Sequence, residues 1–456
     1  MTCRPSQALV STTAIALVLA GLSSAPVSAE EPNEGPSGFG CHALEDIAEL
    51  QMIEGKDGMF FRILADLRLQ HAFTDQTVER LAAMSKALAA HGTTLVYVPL
   101  PTKSQVHPDL VPERAALYGF DAGIASQVYD DVVRRLEKKG VVAVDIATPM
   151  RSDNRSPSGD YSFFKADFHW TAHGADVAAK AIGDRLKTLP AYEDITPVRY
   201  EMEEVIPDRE SSSMRDLLQK HCLKNVPPVT AKAYRAVRQE DAAAGGGGLD
   251  IFGAAEHATT ALIGTSYSDK PISNFADFLQ YRTGVPVENY SISGGNQFGS
   301  ILSYITSREF QESRPRFLIW ENPIYNNLGQ YGDAPWQEVL AAAGGECTTS
   351  VAATRKDDRT VEADLASIKL SPGDVLLADI GRDISRKAQF TFTGTDGQNR
   401  VRSVERGDRL RSTGRYFLSL GGFPAGSFGK VSVSFDAAVD ETTTLSICKT
   451  KTGEQS

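Results

Sequence analysis

Short β-branched apolar runs alternate with amphipathic helical patterns up to about residue 340 of this 456-residue chain. The run "TTLVYVPLP" (93–101) predicts a strand, residues 121–139 a helix, and "VVAVDIA" (141–147) a second strand. A helix over about 172–188 comes next, then "TTALIG" (259–264), a helix near 273–283 and "VENYSI" (287–292). A helix near 297–311 and the strand "RFLIW" (316–320) complete the series. Strand, helix, strand at this spacing predicts an α/β fold with a mostly parallel sheet covered on both faces. Past "LAAAGGEC" the pattern changes to period-two runs separated by turns: "VLLADI", "AQFTFTGTDGQNRVRSV", "GRYFLSLGG" and "KVSVSFDAA". That change predicts a C-terminal β-sandwich. "DAAAGGGGLD" (241–250) reads as a flexible surface connection within the first domain.

The N-terminus fits neither pattern. Residues 1–29 hold one charge, Arg4, then the apolar run "ALVSTTAIALVLAGL" (8–22), then "VSA" (27–29) before Glu30. This is the layout of a cleavable secretory signal. The run is shorter than the roughly 20 residues that span a bilayer. The domain expectation is therefore a signal peptide at 1–29, an α/β domain at 30–342 and a β-domain at 343–456.

Removing the signal takes Cys3 with it and leaves Cys41, Cys222, Cys347 and Cys448. An even number without CxxC spacing in an oxidising compartment favours disulfides over a metal site. Of three connectivities, Cys41–Cys222 with Cys347–Cys448 fits the two-domain division. Without Arg4 the chain carries 46 basic against 58 acidic residues, a net charge of about −12, which argues against a general nucleic-acid binder.

Reactive side chains gather at two places. In "KADFHWTAHGADVAAKAIG" (165–183), Thr171 is an expected N-cap. Asp167 and His169 then lie in an extended segment, on one side at i and i+2, where a carboxylate can fix the imidazole tautomer. His169 and His173 at i, i+4 also imitate half of a zinc site, but the Glu of that motif and a third ligand are missing. In "TTALIGTSYSD", Gly264 permits a tight turn and Ser266 sits just past the strand end, where open α/β sheets bind ligands. Together these suggest Ser266, His169 and Asp167 as a nucleophile, base and orienting acid, with no cofactor or metal.

"DFHWTAHGADVAA", then "LIGTSYSD" about a hundred residues on, then "RFLIWENPIYNN", resembles the AlgX/AlgJ group of alginate O-acetyltransferases in the SGNH-hydrolase-like superfamily. The Asp-x-His pair precedes the Ser, the rearranged order of this group. The C-terminal β-domain makes the chain resemble the AlgX branch, in which such a domain is a carbohydrate-binding module. The resemblance implies a Ser266 nucleophile, His169 as general base and Asp167 as its orienting partner. It further implies that Tyr325 donates to the oxyanion, helped by the Ser266 N–H, with Asn296 of "SGGNQFG" a further donor. It implies a periplasmic enzyme acetylating the 2- or 3-hydroxyls of mannuronate in polymannuronate. Its expected partners are a membrane acyltransferase that supplies acetyl groups and the alginate secretion complex. An acetylesterase with the same triad and a non-catalytic polymer-binding scaffold are the competing expectations.

A polyanionic acceptor needs local positive charge on an acidic protein. Residues 382–415 contain nine Lys or Arg and four acids, and the arginine fork suits carboxylates. Arg400 and Arg402 are expected to share a face, with Lys387 beside them on a nearby strand, as a polymer-binding patch.

Overall fold

The computed structural model describes residues 37–209, 212–239, 260–366, 368, 370–371, 373–421 and 428–450. The expected signal peptide and the glycine-rich 241–250 stretch lie outside these residues. Five strands make a fully parallel sheet in the order Val142–Ala143, Thr94–Leu100, Phe317–Pro323, Thr260–Ile263, Val287–Asn289. Alternate side chains of each central strand enter different cores. Leu95, Tyr97, Ala261, Ile263, Leu318 and Trp320 face the helices Asp75–Ala89, Ala122–Lys138, Gly299–Ile305 and Ala334–Gly344. Val96, Val98, Leu262, Phe317 and Ile319 face Ala172–Leu186 and Phe275–Thr283. Burial on both faces is why these strands read as continuous apolar runs.

Two predicted elements are shorter or broken. "VVAVDIA" contributes only Val142–Ala143 to the edge of the sheet, because Asp145 then caps the next turn through the Thr148 N–H at 3.0 Å. The 297–311 helix is two, Gly299–Ile305 and Arg308–Glu312. Thr306 bonds back to the Leu302 carbonyl at 2.7 Å, and Ser307 caps the second helix by accepting the Phe310 N–H at 3.1 Å. An antiparallel hairpin, Tyr200–Arg209 with Thr230–Arg238, was not among the expected elements.

The helix Ala334–Gly344 runs directly into the strand Gly345–Val351. From there the chain forms two antiparallel sheets. One has the order Gly345–Val351, Thr444–Thr450, Val375–Asp379, Arg415–Ser419. The other has the order Ala353–Arg355, Thr360–Asp364, Phe428–Phe435, Lys387–Gly394, Asn399–Glu405. Leu376, Ala378, Phe390, Phe392, Val431, Val433 and Ile447 pack between them. Val375, Leu377 and Phe417 point the other way, into the core shared with Leu81, Met84 and Trp336 of the α/β part. The two parts therefore share one apolar core, crossed by a buried Arg406–Glu338 pair with bonds of 2.8 and 2.6 Å. Cys347 is bonded to Cys448 on the paired first and last strands, and Cys41 to Cys222. Among the described residues no helix is long and apolar enough to cross a membrane.

Candidate active site

A parallel sheet delivers every strand end to one edge, and three strands end there in polar turns. Thr94–Leu100 leads to Thr102–Gln105, Thr260–Ile263 to Thr265–Ser266, and Phe317–Pro323 to Tyr325. The segment carrying Asp167 and His169 packs across this edge. It is a tight turn rather than the expected extended chain, closed by Phe164 N–H to the His169 carbonyl at 3.1 Å and the Phe163–Trp170 bridge. Asp167 and His169 still meet, because Asp167 Oδ1 accepts the His169 backbone N–H at 2.8 Å and contacts His169 Nδ1 at 2.6 Å. This is an Asx-type turn, which a short carboxylate or amide side chain closes best. The far ring nitrogen, Nε2, lies 2.8 Å from Ser266 Oγ, 97 residues away in sequence. Asp167 and His169 are buried, while Ser266 is partly open.

The helix behind this turn starts as expected. Thr171 accepts the Gly174 N–H at 3.3 Å and donates to the Tyr161 carbonyl at 2.6 Å. Gly174 permits this close packing, since a Cβ there would sit 2.2 Å from the Ser162 carbonyl oxygen. His173 is directed away from the site, with Nε2 2.9 Å from the Asp153 carbonyl oxygen. Among the described residues no three His, Cys, Asp or Glu side chains are grouped to hold a metal ion.

Four supports of the site were not among the residues singled out in the sequence. Lys103, almost fully buried, donates to the carbonyls of Phe60 (2.9 Å), Phe164 (2.7 Å) and Asp167 (2.7 Å), which fixes the Asp167 turn to its neighbours. Ser212 donates to Asp167 Oδ2 at 2.5 Å and accepts the Arg215 N–H. Tyr267 donates to the Phe168 carbonyl at 2.9 Å, and its carbonyl accepts from Trp170 Nε1 at 2.7 Å. Glu321 lies beneath the nucleophile turn, accepting the Thr265 N–H at 2.8 Å and the Ser268 hydroxyl at 2.9 Å. Gly264 is needed for that approach, as a Cβ would lie 2.4 Å from Glu321 Oε2. Only Glu321 left a trace, as a charge inside the apolar run "FLIWENP".

The electrostatics follow from burial. Burial opposes ionisation of Asp167, but the bonds from His169 and Ser212 outweigh it and hold the carboxyl well below its ordinary range. Burial pushes His169 below its ordinary value against the pull of Asp167, and the fields of Lys270 and Arg62 act in the same direction as burial. An ionised Asp167 beside a neutral imidazole is the protonation state in which Nε2 can accept a proton. Burial also lifts Glu321 to about 7 and lowers Lys103 to about 8.

No described residue accepts the Ser266 backbone N–H, which leaves it available to a developing oxyanion. The half-buried Tyr325 has its hydroxyl 3.4 Å from that of Tyr267. Asn296 is exposed in a left-handed conformation, and its side-chain oxygen accepts the Phe298 N–H at 2.8 Å.

The basic stretch is largely engaged within the fold. Arg406 is buried against Glu338, Arg382 pairs with Asp440 at 3.0 Å, and Arg386 donates to the Gly407 and Leu410 carbonyls. Arg400 and Arg402 lie on one face of an edge strand, opposite Phe392 and Phe390. Lys387 instead lies opposite Glu405 and pairs with it at 3.3 Å. Facing residues share a side of the sheet and neighbours alternate, so Lys387 is on the other face from the two arginines. The expected three-residue patch is divided. Arg400 is also bound to Asp396 at 3.2 Å, and Arg402 donates to the Val401 carbonyl at 3.0 Å.

An α/β domain with this strand-end constellation, followed by antiparallel β-sheets, has the architecture of the SGNH-hydrolase-like proteins. Residues 52–324 match the family model described as "SGNH hydrolase-like domain, acetyltransferase AlgX", and the chain belongs to that family. It is 30% identical over 331 residues to the alginate biosynthesis protein AlgX of Pseudomonas putida, covering 71% of this chain and 64% of that protein. The chain thus spans less than two thirds of that relative's length. It is 28% identical over 271 residues to the probable alginate O-acetylase AlgJ of Azotobacter vinelandii, covering 58% and 67% respectively. The solved structure of Pseudomonas aeruginosa AlgX has the same fold, with a TM-score of 0.71 at 23% identity over 88% of this chain and 94% of that one.

Proposed function

We propose that this protein is a periplasmic O-acetyltransferase that moves acetyl groups onto mannuronate 2- or 3-hydroxyls of polymannuronate through an acetyl-serine. The observation that carries the reading is the continuous chain of contacts Asp167–His169–Ser266, at 2.6 and 2.8 Å, in a member of an acetyltransferase family. His169 Nε2 takes the Ser266 hydroxyl proton as Oγ attacks the carbonyl carbon of the acetyl donor. The Ser266 N–H and the Tyr325 hydroxyl stabilise the tetrahedral oxyanion. The donor's leaving group departs with the proton from His169, which leaves acetyl-Ser266 and a neutral imidazole. A sugar hydroxyl then gives its proton to Nε2 and attacks the ester. Collapse releases the acetylated sugar and returns the proton to Ser266 Oγ. Asp167 stays ionised throughout, holding Nδ1–H in place and stabilising each transient imidazolium.

In this reading residues 1–29 export the chain, residues 30–342 are the catalytic domain and residues 343–456 a carbohydrate-binding module. Arg400 and Arg402 contact polymer on one face of that module, with Lys387 on the other. The acetyl donor is a membrane acyltransferase partner, and the polymer is met within the alginate secretion complex. The reading is tested by incubating the protein with an acetyl donor and mannuronate oligomers and weighing the sugars by mass spectrometry. Acetylated oligomer supports the transferase. Free acetate with unmodified sugar identifies an acetylesterase, and unchanged donor identifies a binding scaffold.

A further inference from the structure

Arg62 packs against Phe168 and Tyr325 and has no part in the mechanism above. It ends the strand Phe60–Arg62, whose Phe60 carbonyl accepts from Lys103, so the clamp that fixes the Asp167 turn also fixes Arg62 relative to it. Its guanidinium carbon lies 4.5 Å from the centroid of the Phe168 ring and 4.9 Å from that of Tyr325. The Phe168 ring is in turn packed on the His169 imidazole at 4.0 Å. The cation therefore lies against the expected oxyanion donor and is separated from the imidazole by the Phe168 ring.

The buried Asp66 holds Arg62 by three bonds: Nε and Nη2 at 3.2 Å each, and the backbone N–H at 2.8 Å. Asp66 takes one side of the fork, and no described residue bonds Nη1. The side chain is 19% exposed. A stacked, clamped guanidinium is already ordered and weakly hydrated, so it loses little entropy or hydration on gaining an anionic partner.

We infer that Arg62 is a specificity-determining residue that binds the carboxylate of the acceptor sugar through its free Nη1 and so orients a uronate hydroxyl toward His169 and Ser266. This rests on the acetyl-transfer reading. It adds that the α/β domain itself, and not only the β-domain, distinguishes an acidic sugar from a neutral one.

The test compares wild type, Arg62→Gln and Arg62→Lys on mannuronate oligomers and on the same oligomers after carboxyl reduction. The readout is the ratio of kcat/KM for the two acceptors, which a general loss of activity does not change. One hydrogen bond to a charged group predicts that the wild-type preference for the acid falls about tenfold or more in Arg62→Gln. It should fall less in Arg62→Lys, which keeps the charge and loses the fork. An unchanged ratio in Arg62→Gln, or equal loss on both acceptors, overturns the inference. Both oligomers are also measured as inhibitors of p-nitrophenyl acetate hydrolysis. If wild type transfers no acetyl to either sugar, the transfer reading fails. The ratio of the two inhibition constants still decides on Arg62 by the same criterion.

Discussion

Lys103→Met separates two large opposing effects at one buried side chain. The ammonium donates to three carbonyls at 2.7–2.9 Å. Deleting it leaves them without that donor in a buried place, at about 1–3 kcal/mol each, or about 3–9 kcal/mol in all. Against this, burial lowers the pKa from its ordinary 10.5 to about 8, so keeping the amine charged at pH 7 costs about 3 kcal/mol. The carbonyl bonds win by a few kcal/mol, and urea unfolding at pH 7 should show the variant about 3 kcal/mol less stable. Because the folded pKa lies below the unfolded one, the native state loses its proton first as pH rises. The wild type's advantage should therefore widen between about pH 8 and 10. Acetyl transfer should fall at least about tenfold, since a shift of about 1 Å in the Asp167 turn is enough to misplace His169. A variant as stable as wild type, or more so, would refute the claim that this lysine holds the site together.

Asp167→Asn should fold and lose about 10⁴ in kcat, the effect of the same change in a serine-protease triad; a tenth of wild-type activity in a steady-state assay would contradict it. Glu338→Ala leaves Arg406 charged and unpaired where helix and β-sheet meet, and urea unfolding should show a loss of about 3–5 kcal/mol. From pH 6.5 to 5 the buried histidines should lower stability, an effect partly offset by Glu321, which burial raises to about 7 so that the native state takes up its proton first. Burial holds His107 at about 3 and His169 below its ordinary value, so from pH 6.5 downward unfolding takes up protons that the native state refuses. His107 contributes a loss of up to about 1.4 kcal/mol per pH unit in that window, and His169 adds to it in the same direction. In Glu321→Gln, which removes the opposing carboxyl, a stability profile flat from pH 6.5 to 5 would count against their burial. Below about pH 3.8 the depressed Asp167 adds a further loss.

The alternation of β-branched runs with helical patterns was enough to place the central sheet, because strands buried on both faces are apolar throughout. The meeting of Asp167, His169 and Ser266 was legible because each half carries a local signal: a short acid two residues before a histidine, and a serine in a glycine turn at a strand end. Lys103, Ser212, Arg62 and Glu321 were not, because each acts through atoms about 40 to 110 residues away that only the fold brings near, with no motif of its own to mark it. The separation of Lys387 from Arg400 and Arg402 had the same origin. Which face a strand residue occupies depends on register with its neighbour, and composition does not carry register.

The most direct test of acetyl transfer through Ser266 is the intact mass of the protein after brief exposure to p-nitrophenyl acetate, followed by peptide mapping and a chase with mannuronate oligomers. The account predicts one acetyl group on Ser266, its disappearance on adding the oligomers with matching acetylated sugar, and no label on Ser266→Ala. Sugar acetylation by Ser266→Ala at the wild-type rate would contradict it.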